Sequence, residues 1–190
     1  MDQPPEYMEV YIDFLPNQPK DEQGKKMLRE MLSTRFEQKL PAAVERIFDL
    51  PPLMLKPEGD YLRLLVEARE LYVEGRFYSC VATCGIVGER LVKDIFRASV
   101  LIQQSGISHT PSEDALDQLE RVEISGIIHF LREAKLLADD AAKAADKLSQ
   151  LRNKYAHARG KEPDLDALRA VKLLHQVVEE TVSLLKNFHA

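Results

Sequence analysis

The sequence predicts an all-α protein, an up-and-down helical bundle with an extended N-terminal arm. Three observations predict it. From residue 21 onward, apolar residues recur three or four apart, the spacing of one helical face. Proline, glycine and capping residues punctuate that pattern at helix-sized intervals. No glycine-rich phosphate loop, internal repeat or low-complexity tract interrupts it. The 190 residues are 45% hydrophobic and 30% charged, an ordinary globular composition with some length left for an arm.

Residues 1–20 are that arm. Pro4, Pro5, Pro16 and Pro19 punctuate them, and Met8, Val10, Ile12 and Phe14 alternate with Tyr7, Glu9, Tyr11 and Asp13. This is strand periodicity, and a lone strand is not stable in water, so the arm is expected to lie on the body or on a partner subunit. Residues 21–57 read as an N-terminal helical extension. Its helix, over 21–50, carries the stripe Leu28, Met31, Leu32, Phe36 and Leu40, is interrupted at Pro41 and is ended by Pro51 and Pro52.

Residues 58–190 hold the bundle. A helix over 58–75 carries Leu62, Leu65, Val66, Arg69 and Tyr72, with Gly75 as its stop. The next, over 76–103, is apolar over much of its circumference through Phe77, Cys80, Val81, Cys84, Val87, Leu91, Ile95 and Phe96. Ala82, Gly85 and Gly88 allow another helix to come close, so this helix is expected at the centre. Thr110, Pro111, Ser112 and Glu113 form a capping box that starts a short helix to about 121. Ser125 is the expected cap of a helix over 126–138. Asp139 and Asp140 head another over 140–158, which Gly160 and Pro163 end. The last helix, over 164–188, aligns Leu165, Leu168, Val171, Leu174, Val178, Val182 and Leu185.

Bulk properties narrow the function. No apolar run approaches the roughly 18 residues that cross a bilayer, and the acidic start lacks a signal-peptide pattern, so a soluble cytoplasmic protein with no membrane role is expected. Cys80 and Cys84 share a helical face, where a disulfide fits poorly and no further metal ligand stands at the right spacing. They read as packing residues, and no metal or other cofactor is expected. A net charge of −5 counts against a dedicated nucleic-acid binder but leaves room for a local basic pocket.

The candidate chemistry lies at Arg152, Asn153 and His157. Asn153 and His157 are four apart, on one helical face, and Arg152 is about 100° away on a long side chain. Arginine grips phosphate oxygens bidentately, histidine moves protons near neutral pH, and asparagine can orient either partner. Lys154 and Arg159 flank this set as candidate substrate-binding groups. Glu89 and Arg90, the charged step in the apolar central helix, are candidate support for the site, and Arg152 is a natural partner for Glu89. A structural role stands beside the functional one, because basic residues and histidine favour the negative end of a helix dipole. Spacing alone does not decide. With 13 Arg and 5 His, such a pair arises by chance about one time in three. His109, His129, His175 and His189 read as structural or solvent-facing.

The segment Glu70–Thr83, followed by Gly88, Glu89, Arg90, Leu91 and Val92, resembles the first helix pair of HEPN domains. The segment Leu148–Ala158 resembles that superfamily's signature, an Arg and a polar residue shortly before a His. The likeness covers about residues 58–188 and is nearest to a HEPN subfamily often attached to restriction and other defence systems. It implies a bundle that often dimerises, with Arg and His of two subunits facing one cleft that, in active members, cuts RNA without a metal. Carried over, His157 would be general acid or base at a ribose 2′-hydroxyl, Arg152 would stabilise the phosphate's charge, and Asn153 would orient. Products would end in a 2′,3′-cyclic phosphate. Some toxin members carry a modifiable Tyr two residues after the His; this chain has Arg159 there. Many HEPN domains have no shown activity, so the alternative is a non-catalytic module that dimerises or binds a nucleotide or partner protein.

Overall fold

A computed structural model describes residues 21–52, 61–104, 107–119 and 121–188; the expected arm over 1–20 lies outside them. The described residues form seven α-helices and one two-stranded hairpin, the all-α bundle expected. The chain divides into two compact units, residues 1–41 and 42–190.

Helix α1 runs over Glu22–Asp49, and Asp21 caps it by accepting the Gly24 N–H at 2.8 Å. Pro41 lies inside α1, which corrects the expected interruption. Proline removes one helical hydrogen bond, and here it stands on an exposed turn where water can satisfy the carbonyl left over. Within the first unit, Leu32, Phe36 and Leu40 of the expected stripe are exposed.

In the second unit, α2 (Tyr61–Val73) and α3 (Phe77–Ser99) form a hairpin. Gly75 supplies the turn at φ +76°, with the Arg76 N–H bonded to Leu71 O and the Gly75 N–H to Tyr72 O. Only glycine adopts that left-handed backbone without penalty. Arg46 locks the hairpin by donating to Val73 O at 2.8 Å while its guanidinium lies over the Phe77 ring.

Helix α3 is central, as expected. Cys80, Val81, Cys84, Val87, Leu91 and Ile95 are all fully buried, and both cysteines are free thiols in the core. It stops at Ser99, short of the expected 103, because Val100 turns into extended backbone. An unexpected antiparallel hairpin follows, β1 (Ile102–Gln104) against β2 (Ile107–His109). The intervening Ser105-Gly106 is a turn-favouring dipeptide, expected only to end the preceding helix.

Helix α4 (Glu113–Leu119) is capped by Ser112, whose Oγ accepts the Ala115 N–H at 3.3 Å, so the cap is Ser112 and not Thr110. Arg97 of α3 holds this helix through Glu113 and Asp117. Helix α5 (Ile124–Glu133) starts before Ser125, which therefore lies within its first turn and does not cap it. It ends at Lys135 in the left-handed region, φ +60°.

Helices α6 (Asp139–Ala156) and α7 (Pro163–Phe188) complete the bundle. Ala138 gives α6 no side-chain cap, and Glu180 of α7 supplies one by accepting the Ala141 N–H at 3.1 Å. That bond, with Tyr155 on Asp166 at the other end, makes α6 and α7 antiparallel. Gly85 faces Arg152 and Gly88 faces Leu148, so α3 and α6 are antiparallel too. The path α2, α3, α6, α7 is therefore up and down. The buried face of α7 is Ala167, Ala170, Val171, Leu174, Val177 and Val178, whereas Leu165 is exposed. Small alanines, invisible to a search for large apolar residues, shift the true face away from Leu165. Among the described residues, no helix is long and apolar enough to cross a membrane.

Candidate functional site

Tyr155 fixes the orientation of the end of α6. Leu148, Leu151 and Tyr155 share the core-facing line and are buried. At 100° per residue this turns Asn153 and His157 to solvent and leaves Arg152 half-buried at the α3 side. His157 is the C-cap residue, φ −101° and ψ 18°. Ala158 follows in the left-handed region at φ +53°, with its N–H on Tyr155 O and the Arg159 N–H on Lys154 O. The backbone around His157 is thus pinned by a closed helix terminus.

Arg152 is set by its neighbours on both sides. A Cβ on Gly85 would lie 2.5 Å from both Cβ and Cγ of Arg152, closer than any real contact, so glycine is what lets this stem cross α3. Its Nη2 donates to Glu89 Oε2 at 2.9 Å and its Nη1 to Asn153 Oδ1 at 3.0 Å. Glu89 also receives Lys93 Nζ at 2.8 Å, so two cations share one carboxylate and the trio keeps a net positive charge. A guanidinium has five N–H donors, and these bonds use two. Only a small hollow of about 10 Å³, room for roughly one water, lies beside the group, lined in part by Gly85, Glu89, Ser149 and Arg152.

The other expected residues separate. Arg90 points along α3 to Asp94 at 3.0 Å and stays outside this cluster. Lys154 turns inward to Asp166 at 2.8 Å and lies against the Tyr155 ring. Arg159 is exposed just past the helix terminus. Asp166, 8% exposed, accepts from both Lys154 and Tyr155 Oη, each at 2.8 Å. Burial opposes its charge, yet hydrogen bonds from Lys154 and Tyr155, with the charges of Lys154 and Arg169, hold its carboxyl below the ordinary value. The Tyr155 hydroxyl is pushed up, first by burial and then by Asp166.

Three further residues were not singled out as site residues by sequence reasoning. Tyr78, in the first turn of α3, packs on Tyr155 with ring centroids 4.8 Å apart and donates to Gly160 O at 3.2 Å. Gly160 lies against the Tyr155 ring, where a Cβ would come within 2.4 Å. Asp166 closes the cluster from α7. No spacing signal could have found this set, because Tyr78 and Gly160 are 82 residues apart. One signal was available: residues 152–161 contain Arg152, Lys154, His157, Arg159 and Lys161 and no Asp or Glu, in a chain with 31 acidic residues.

Of the remaining histidines, His109 lies exposed in β2, His129 sits beside Arg132, and His175 Nε2 meets Glu179 at 3.1 Å. His189 lies outside the described residues. Among the described residues, no three His, Cys, Asp or Glu side chains are grouped as metal ligands. The chain matches no protein-family model, no curated protein and no solved structure.

Proposed function

We infer that this chain is a HEPN-like bundle acting on RNA as a metal-independent endoribonuclease, in a defence or toxin-type setting, with the end of α6 as its active site. The observation that carries this reading is the pairing of an exposed His157 with an Arg152 already oriented by Glu89 and Asn153. Attack of a ribose 2′-oxygen on the adjacent phosphorus breaks the P–O5′ bond and leaves a 2′,3′-cyclic phosphate and a 5′-hydroxyl. One group must take the 2′-proton and another must protonate the leaving oxygen. The described site offers one histidine, so a second copy of the chain would bring the other, and the two would work across a homodimer cleft. Arg152 would stabilise the charge that grows on the phosphate, with its orientation prepared in advance.

A chelator-containing assay tests this: the wild type cuts RNA, and His157→Ala loses at least about a hundredfold, the ordinary worth of a general acid or base. Equal cleavage by the two proteins contradicts it. A second reading, a non-catalytic module for dimerisation or for nucleotide or partner-protein binding, is favoured by the engagement of two Arg152 donors within the chain. Binding without cleavage in the same assay selects that reading.

A further inference from the structure

The arrangement around Tyr78 goes one step past the phosphate chemistry. Tyr78 is 48% exposed, although its ring is held on one side by Tyr155 and its hydroxyl is tied to Gly160 O. A half-exposed aromatic residue whose ring and hydroxyl are both held offers apolar surface with part of its motion already restricted. A freely rotating side chain would lose rotamer entropy on binding, and this one has already lost part of it. The same contacts place the ring beside the α6–α7 turn, which carries His157, Arg159 and Lys161. Among the described residues none of these three makes a salt bridge. Arg76, two residues from Tyr78, is paired with Glu74 and adds no net charge. Acidic residues resume only at Glu162.

The geometry points to Tyr78 as the stacking platform for one unpaired nucleobase of single-stranded RNA, next to the phosphate that the end of α6 addresses. This rests on the endoribonuclease reading and gives it a substrate class. A fixed aromatic beside exposed cations is the pairing that single-stranded nucleic acid needs: the ring takes a base and the cations take the backbone. A base in a duplex has no free face to offer, so double-stranded RNA is disfavoured. Stacking accepts any base, so little sequence preference comes from this contact. Tyr78 is a binding residue in this account and takes no part in proton transfer.

Two labelled ten-residue oligonucleotides with 2′-O-methyl riboses test it. These lack the attacking hydroxyl, so the intact wild-type chain cannot consume them. One carries adenine throughout and the other is abasic at its central positions. Fluorescence anisotropy in chelator is read for the wild type, Tyr78→Phe and Tyr78→Leu. The expected result is a wild-type preference of about 5- to 160-fold for the base-bearing strand, the range of one stacked base. Tyr78→Phe keeps that preference to within about twofold, because the ring remains, and Tyr78→Leu abolishes it while binding the abasic strand like the wild type. If Tyr78→Leu does not fold, the wild-type comparison decides alone: equal affinity for the two strands overturns the proposal. A folded Tyr78→Leu that keeps the preference overturns it as well, while leaving the endoribonuclease reading intact. Failure of the wild type to bind either strand overturns both.

Discussion

His157 and Ala158 show how a helix terminus can serve a site. Ala158 sits at φ +53°, a backbone that costs an L-residue about 1–2 kcal/mol. Replacing Ala158 with Gly should raise unfolding free energy by about 0.5–1 kcal/mol, since part of the relief is offset by the freer unfolded chain. Lys135→Gly should act alike at the end of α5. Urea denaturation measures both, and an unchanged midpoint would mean that neither turn is strained. Asp166 sets a pH dependence by the same measurement. Its carboxyl titrates lower in the folded protein than in the unfolded chain, so its stabilising effect is complete above the ordinary carboxylate range and is lost as pH falls through and below it. Asp166→Asn should flatten stability across that acid limb. Tyr72 acts at the other end. Burial, then the Asp49 charge and hydrogen bond, push its hydroxyl up to about 12, so its contribution holds below about pH 10 and is lost on rising to about 12.

At the scale of elements, the α3–α6 contact determines whether the site exists at all. Gly85→Ala should cost about 1–3 kcal/mol by forcing a methyl group into the Arg152 stem, whereas Ala82→Gly, on the exposed side of α3, should cost no more than a helix propensity difference of about 1 kcal/mol. A thermal melt distinguishes them, and equal losses would contradict the close crossing. This contact was half legible in the sequence. Gly85 and Gly88 announced a close approach, and helical spacing announced the elements that meet. Which residue of α6 fills the gap was not readable, because it depends on a rotation of α6 that Tyr155 and Asp166 set from 11 residues apart. The pairing of Arg152 with Glu89 was readable as a charge needing a partner in an apolar helix. Tyr78 was not, since nothing in its own neighbourhood marks it as anything but a core aromatic. The same reasoning explains Pro41 and Leu165: local rules name a breaker or an apolar position, and only the surroundings decide whether water or a neighbour meets it.

At the scale of the molecule, an acidic chain holds one short stretch of concentrated positive charge at the end of a helix. If RNA is the substrate, as we propose, attraction elsewhere should be weak and binding should fall steeply with salt, through the few phosphates that the stretch can contact. Arg159→Ala should weaken binding and reduce the salt slope by about one, with no change in preference among bases. If one copy supplies the acid and another the base, cleavage should rise more steeply than linearly with protein concentration until the dimer saturates. The activity we propose is cleavage of RNA by the end of α6 without a metal. Its most direct test is incubation of single-stranded RNA with the wild type and with His157→Ala in excess chelator, reading the ends produced. The wild type should leave 2′,3′-cyclic phosphate ends and the variant almost none; equal yields from both, or no cyclic phosphate from either, would rule the activity out.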